Sequence, residues 1–429
     1  MLSVRDALGQ CLATVASPSG EDVPLEEAHG RVLLRTVVSS VPLPPWSNSA
    51  MDGFALQASS GGTPGGAAQA SNCDAQPDGS RGGPWLDVVG TVPAGHAPDF
   101  TVGPGQAARV MTGALIPEGA DSVVMQEQTT RVGDQIQLHA GVEVGQNIRW
   151  QGEDLSAGSP VLEPGTTLNG SHLGLAAAVG VRELCVARRP TVGIIATGDE
   201  LVEAPTPLTP GTIYSSNTAA LMGLVREAGA TPIDCGVARD SLVSTREAFE
   251  RAMACDIILS TGGVSVGDFD VVREAMESVG AEMQFWRVAM KPGKPLALGI
   301  VGDTPTIGLP GNPVSCQVGF LQFVRPWLRV AMGCTTPFLP VVYASLAAPF
   351  SKRPGRAEFV RVRLERVTSG WSATPLAGQG SGSQTSMATA QGLMMVAAET
   401  ISLAAGDTVS VQALSAGLIG QRDPGYPWS

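Results

Sequence analysis

The 429-residue chain has no histidine beyond His172, no Cys-x-x-Cys pair and no G-x-x-x-x-G-K-[ST] stretch. Each lack closes a class of chemistry. The cysteines, at 11, 73, 185, 235, 255, 316 and 334, are scattered and odd in number, so reduced buried thiols are expected rather than a disulfide framework or a zinc site. His29, His96, His139 and His172 share no spacing that suggests metal ligation. Without the phosphate-loop signature the chain is not a Walker-type ATPase. No uninterrupted apolar run reaches the ~18 residues of a membrane span. The opening "MLSVRDALGQCLATVASPSGEDVPLEEAHGRVL" is broken by charges throughout, and reads as an amphipathic helix rather than a secretory segment. Charged residues are only 15% of the chain, and the formal net charge is −12. That balance argues against nucleic acid or an anionic membrane as partner. A cytosolic location is expected, and any bound anion must be met by a local basic cluster.

What is present is core-forming material (43% hydrophobic) and turn-forming residues, with 53 glycines and 32 prolines. This suits two to four domains. Residues 1–46 end in the proline-rich "VPLPPW". After "SNSAMDGFAL" comes a Gly/Ser/Ala/Pro tract at 57–84, expected to be a disordered loop because it offers little apolar area to bury. Short Val- and Thr-rich runs between turns make 85–149 mainly β. Residues 150–190 hold turns and one short apolar helix, "SHLGLAAAVGV". From 191 to 332 the pattern changes to buried strands alternating with helices: "TVGIIAT", "NTAALMGLVREAGA", "TPIDCGV", "STREAFERAMA", "DIILST" and onward to a long final helix from "NPVSC". Such alternation predicts a parallel sheet covered on both faces. Asn217 is the expected cap of the first of these helices and Gly229 its expected end. The stretch from about 338 reads as a small β-barrel or sandwich, and the last residues as a frayed tail.

Within the α/β region, Gly263-Val264-Ser265-Val266-Gly267 satisfies the G-x-S-x-G pattern of a nucleophile elbow. That chemistry needs an acid and then a histidine after the serine, and no histidine follows Ser265. The alternative is a phosphate cradle. Gly262 and Gly263 let backbone N–H groups approach a ligand, and the following helix start adds donors. Asp268 and Asp270 stand beside the same turn, where carboxylates suit Mg²⁺ bridging to phosphate, although helix capping accounts for either one alone. "ATGDELVE" repeats the logic at the first strand's end, with Glu200. Pro310, Gly311, Asn312 and Ser315 of "IGLPGNPVSCQ" form a third such turn, with Asn312 the expected cap and Pro313 at the first helical position. Arg287, Lys291 and Lys294 in "FWRVAMKPGKPLALG" supply the missing basic cluster, on a backbone restricted by Pro292 and Pro295. A solvated surface strand is the bland alternative.

Taken in order, "SNSAMDGFAL", "RVMTGALIPEGADSVVMQEQT", "GQNIRWQGEDLSAG", "ATGDEL", "STGGVSVGDFD", "KPGKP" and "GLPGNPVSC" resemble the molybdopterin molybdenumtransferase family, which includes bacterial MoeA and the E domain of gephyrin. The resemblance runs from about residue 2 to about 412. It implies insertion of molybdenum from molybdate into adenylylated molybdopterin, with release of AMP assisted by Mg²⁺. It also implies an elongated homodimer, and a separate adenylyltransferase that supplies the substrate. The implied organisation is an elongated linking domain (1–46 and 151–186), an inserted mainly β domain (47–150), an α/β molybdopterin-binding domain (187–332), a C-terminal β-barrel (338–415) and a tail (416–429). By resemblance, Asp52, Thr112, Arg149 and Asp154 line the site. Glu200, Asp240 and Asp270 serve metal and phosphate chemistry, and Lys291, Lys294 and Arg287 hold oxyanion or phosphate. Arg356 and Ser386 are carried over in the barrel. Ser265 becomes part of a phosphate-holding turn. Trp150 replaces a second basic residue of many family members, and Arg287 stands where some have lysine. A gephyrin-like scaffold and a molybdopterin carrier without turnover are the competing readings; the acids and lysines favour the enzyme.

Overall fold

The computed structural model describes residues 1–61, 83–262, 280–368 and 370–414. Gly263, Ser265, Asp268 and Asp270, most of the 57–84 tract and the tail lie outside the described residues. Both ends of the tract are ordered, contrary to expectation. Ala58–Ser60 is a 3-10 turn tied down by Ala58 N–H donating to Asp121 Oδ1 at 2.7 Å. Gly83 N–H donates to Leu138 O at 2.8 Å.

The mainly β unit is a six-stranded sheet in the order Ser122–Met125, Gly53–Leu56, Gln106–Val110, Trp85–Val92, Gln135–Leu138, Thr129–Val132. Phe54, Leu56, Leu86, Ile136 and Leu138 fill one buried cluster, and Ala55, Val92, Val110 and Val123 another. Alternate side chains of Gly53–Leu56 thus feed two cores, as the two-residue period of a strand requires. The two-stranded pairing of Asn48–Ser49 with Ile148–Arg149 sets the chain's entry beside its exit, with Arg149 opposite Asn48. Below it, Gly20–Pro24 pairs antiparallel with Glu183–Ala187, and Val37–Val38 with Pro160–Leu162. The Gly170–Ala178 helix covers this layer, capped by the Asn169 side chain accepting from His172 N–H.

The first helix, Val4–Leu12, expected to open the elongated unit, packs on the α/β core. Ala7 and Cys11 join the same buried cluster as Ile194, Leu259 and Phe323, and Trp327 Nε1–H donates to Thr14 Oγ1 at 2.9 Å. Its start is capped by Ser3 Oγ, which accepts from Asp6 N–H.

The α/β sheet runs Thr231–Ala238, Thr191–Thr197, Ile257–Thr261, Thr304–Leu309, Pro295–Val301, Ala281–Arg287. The first four strands are mutually parallel. The last two are antiparallel neighbours, so the sheet is mixed where all-parallel pairing was expected. The physical reason is a two-residue hairpin: Val301 pairs with Thr304 across Gly302-Asp303, with Gly302 at φ 60°. From Thr191–Thr197 the chain winds to one side (Thr231–Ala238) and then to the other (Ile257–Thr261). Such a reversal of strand order opens a crevice at the strands' carboxyl ends.

Asn217 does not cap its helix. Ser215 precedes the Ser216–Glu227 helix and Asn217 sits in the first turn, whereas Gly229, at φ 94°, follows its end as expected. Asn312 takes the cap position of Pro313–Gly319 without a side-chain capping bond. The long final helix is interrupted. Pro326 cannot donate to a carbonyl of the preceding turn, and the ladder passes through a π segment at Phe320–Val324 before Arg325–Ala331.

The C-terminal strands Val341–Leu346, Ala357–Val367, Gly370–Pro375, Gly392–Val396 and Thr408–Ala413 close into a barrel, because Ala357–Val367 pairs with both Gly370–Pro375 and Gly392–Val396. A sixth strand, Met290–Lys291, comes from the α/β unit and pairs parallel with Ala357–Glu358.

Candidate active site

Three turns meet over the crevice. Thr197 ends one strand, Thr261-Gly262 the next, and Leu309-Pro310-Gly311 the third. Gly262 is at φ 96°, and a Cβ there would meet the Thr197 hydroxyl at 2.6 Å and its carbonyl oxygen at 2.7 Å, so only glycine fits. A Cβ on Gly311 would lie 3.5 Å from Gly262 Cα. Asn217 fastens two of these turns. Its Nδ2 donates to Thr261 Oγ1 at 2.8 Å and to Gly311 O at 2.7 Å, while its Oδ1 is buried without a partner among the described residues.

At the neighbouring strand ends, Asp199 and Asp240 exchange bonds. Asp240 N–H donates to Asp199 Oδ1 at 3.1 Å and Asp199 N–H to Asp240 Oδ2 at 3.4 Å. Arg239 Nη1 ties the same loop by donating to Asp199 O at 2.9 Å and Leu201 O at 3.2 Å. Asp199, Glu200 and Asp240 are exposed, and each carboxylate of the exchanging pair keeps an oxygen outside that pairing.

The basic turn lies against the third loop: a Cβ on Gly293 would meet Ser315 O at 3.4 Å. Lys294 and Arg287 are exposed. Lys291 Nζ lies 3.3 Å from both carboxylate oxygens of Glu358, which belongs to the barrel. The barrel also reaches the helix starts. Val314 N–H donates to Ser381 O at 3.0 Å, and Gln384 Nε2 donates to Ser216 Oγ at 2.9 Å. Ser386 is buried, accepting from Arg361 Nε at 2.8 Å and donating to Ser383 O at 2.8 Å; Arg356 is half-buried. The position that draws notice in the barrel is Arg361. It is fully buried, with Nη2 donating to Gly378 O and Gly380 O, and burial holds its guanidinium pKa below the usual value. These bonds stiffen the Gly378–Ser383 loop that touches the helix starts.

A second group forms on the mainly β unit. Asp52 Oδ1 accepts from Thr112 N–H at 2.6 Å and from Thr112 Oγ1 at 2.9 Å. The Thr112 backbone bond first, then its hydroxyl, hold the Asp52 carboxyl below the usual carboxylate range, with Arg109 helping. Arg149 is exposed beside Asn48, and Asp154 is exposed with its N–H donating to Leu43 O at 3.0 Å. Trp150 is exposed and its N–H donates to Glu153 Oε2. Among the described residues no hydrogen bond or ion pair joins this group to the strand-end group of the same chain.

Residues 2–180 match the family described as MoeA N-terminal region (domain I and II), 193–330 the probable molybdopterin binding domain, and 343–414 the MoeA C-terminal region (domain IV). The chain is 38% identical over 397 residues to molybdopterin molybdenumtransferase 2 of Mycobacterium tuberculosis, covering 91% of this chain and 94% of that protein. It is 36% identical over 417 residues to molybdopterin molybdenumtransferase of Bacillus subtilis, covering 95% and 92%. The chain belongs to the molybdopterin molybdenumtransferase family. Its fold follows that of the molybdopterin biosynthesis MoeA protein of Pyrococcus horikoshii OT3, with a TM-score of 0.80 at 31% identity over 96% of this chain and 100% of that one.

For a transferase of this family, Mg²⁺ is the implied metal, and the donor set is compatible with it. Among the described residues no three His, Cys, Asp or Glu side chains converge into a metal cage. Mg²⁺ does not require one: it keeps several waters and takes one or two carboxylates plus substrate phosphates. Sequence spacing did not point to Asn217, Arg239, Arg361 or Glu358 as site elements. Asn217 carried a local signal, that of a cap. The others act on partners 17–67 residues away, across strands and loops, where no local spacing exists.

Proposed function

We propose that this enzyme transfers molybdenum from molybdate to the dithiolene of adenylylated molybdopterin, as the last step of molybdenum cofactor biosynthesis. The observation that carries the reading is the stacking of the Lys291–Lys294 turn on the Ser315 backbone, beside the glycine turns of the crevice. Oxyanion charge and phosphate-type donors thereby share one edge.

In this mechanism Gly262 leaves room for close backbone approach, and Gly263 with Ser265 and the Pro310–Ser315 turn hold the phosphate end of the substrate through backbone N–H groups. Lys291, Lys294 and Arg287 draw molybdate against the chain's net negative charge. Glu200, Asp240 and Asp270 would hold Mg²⁺, which would neutralise charge on the phosphoanhydride oxygens. Water cleaves the phosphoanhydride, giving AMP and the phosphate monoester of the pterin, while the two thiols of the dithiolene form Mo–S bonds and one molybdate oxygen leaves as water with the two thiol protons, molybdenum staying at +6. Asp52, fixed by Thr112, presents its Oδ2 with Arg149 and Asp154 as the opposite wall. Because among the described residues that wall makes no bonded contact with the strand ends of its own chain, we assign it to the crevice of a second copy, in a cytosolic homodimer supplied by a separate adenylyltransferase. Ser386, buried and bonded to Arg361, becomes structural in this reading, whereas Arg356 keeps its binding role.

The test is AMP release from adenylylated molybdopterin and Mg²⁺, with and without molybdate. Molybdate-dependent release with molybdenum left on the pterin is the expected result. Tight pterin binding without such release would instead make the protein a carrier. Lys294→Ala should raise the molybdate requirement and leave the oligomeric state unchanged, as read by light scattering.

A further inference from the structure

The lysine assigned above to the oxyanion already has an anion beside it. Lys291 and Glu358 are register partners in the parallel pairing of Met290–Lys291 with Ala357–Glu358, so the backbone ladder itself sets the pair. The Lys291 side chain is 46% exposed and that of Glu358 only 10%. The carboxylate is therefore enclosed by the barrel, while the ammonium keeps an open side. Both N–O distances are 3.3 Å, long for a charge-assisted bond, and an ammonium has three donors. At least one donor is free for a second anion. Lys294, in the same turn, and Arg287, at the end of the preceding strand, make no ion pair with any described residue.

We propose that Glu358 is a charge-balancing residue that acts through Lys291: it cancels most of the lysine's long-range pull, so the oxyanion site binds its cargo weakly and releases it. This rests on the reading that Lys291 meets the oxyanion. An uncompensated lysine beside two further cations would attract a dianion as three full charges. With Glu358 in place the Lys291 contribution is that of a dipole, which falls off faster with distance. A donor that must give molybdenum away gains from that weakness, since a tightly bound ground state adds to the barrier.

The experiment is equilibrium dialysis of the full chain against molybdate, with molybdenum counted by mass spectrometry, for wild type, Glu358→Gln, Lys291→Ala and the double variant. Expected is about tenfold tighter molybdate binding by Glu358→Gln, an effect that shrinks as salt is raised. Lys291→Ala should bind most weakly, because Glu358 is then an unopposed negative charge, and the double variant should fall between it and wild type. In turnover, Glu358→Gln should lower the KM for molybdate and lower kcat, a split that loss of packing alone would not give. If Glu358→Gln binds no tighter than wild type while Lys291→Ala loses binding, the balancing role is wrong and the lysine assignment stands. If Lys291→Ala binds as wild type does, the lysine assignment itself falls, and this inference with it. Should Glu358→Gln fail to melt cooperatively, Glu358→Asp decides: retained charge predicts wild-type affinity, and tightened binding would overturn the proposal.

Discussion

Both hydrogen bonds that depress the Asp52 pKa arrive on Oδ1 from a single residue, Thr112. Thr112→Val removes the hydroxyl bond and keeps the backbone one. The Asp52 carboxyl should then rise toward its ordinary value, moving the acid limb of the proposed AMP release to higher pH. Comparing pH–rate profiles of the two proteins between about pH 3 and 6 checks this. A different carboxylate, Asp256, sits at the opposite end of the sheet. Burial pushes its pKa up, but Arg188 and the two Thr191 bonds outweigh burial, and the net direction is down. A depressed carboxyl contributes stability above its unfolded pKa and loses it as pH falls through the folded one, so Asp256 supports the fold at neutral pH and fails only below the usual carboxylate range. Asp256→Asn should cost about 1–2 kcal/mol at pH 7, since the pair is partly open to solvent. The cost should vanish in strong acid, as urea titrations at the two pH values would show.

At the scale of single elements, the strand-end turns carry the tightest constraint. Gly262→Ala places a methyl against Thr197 at a positive φ, and should destabilise the protein by about 1–3 kcal/mol. It should also weaken pterin binding more than a matched destabilising change in the barrel; thermal melting and binding titration separate the two. These turns were legible in the sequence because glycine after a buried run has few other uses. The alternation of "TVGIIAT", "DIILST" and "TPTIGLP" with helices likewise gave the sheet. The reversal at Pro295–Val301 was not legible. "PLALGIV" is as continuous and apolar as its parallel neighbours, and direction is fixed only by the two-residue turn at Gly302-Asp303. The Val4–Leu12 helix shows a similar limit: its amphipathic pattern announces a buried face but not which core receives it. Asn217 has the residue type and position of a cap, yet its amide spans two loops that meet only after the sheet has formed.

At the scale of the whole molecule, the barrel is bound to the α/β unit by polar bonds set in apolar surroundings. Gln322, in the π segment, and Gln412, in the barrel, exchange amide bonds at 2.7 and 3.2 Å. Replacing either glutamine by leucine strands the other's amide, which costs about 1–3 kcal/mol, whereas the double replacement should recover most of the loss. A double-mutant cycle read by thermal unfolding tests that asymmetry. The candidate residues could be named from the sequence but their grouping could not, because Asp52 and the strand ends are separate groups in one chain. One shared element gives the molecule a further property. Met290–Lys291 is hydrogen-bonded as a strand of the barrel, whereas Lys294 O accepts from Val288 N–H and leads directly into the Pro295–Val301 strand. A tilt of the barrel therefore carries one ammonium group along while the other stays with the sheet. The gap between the two lysines works as a caliper on the interdomain angle, and a pair of spectroscopic labels placed to either side of Gly293 would read the barrel's position directly.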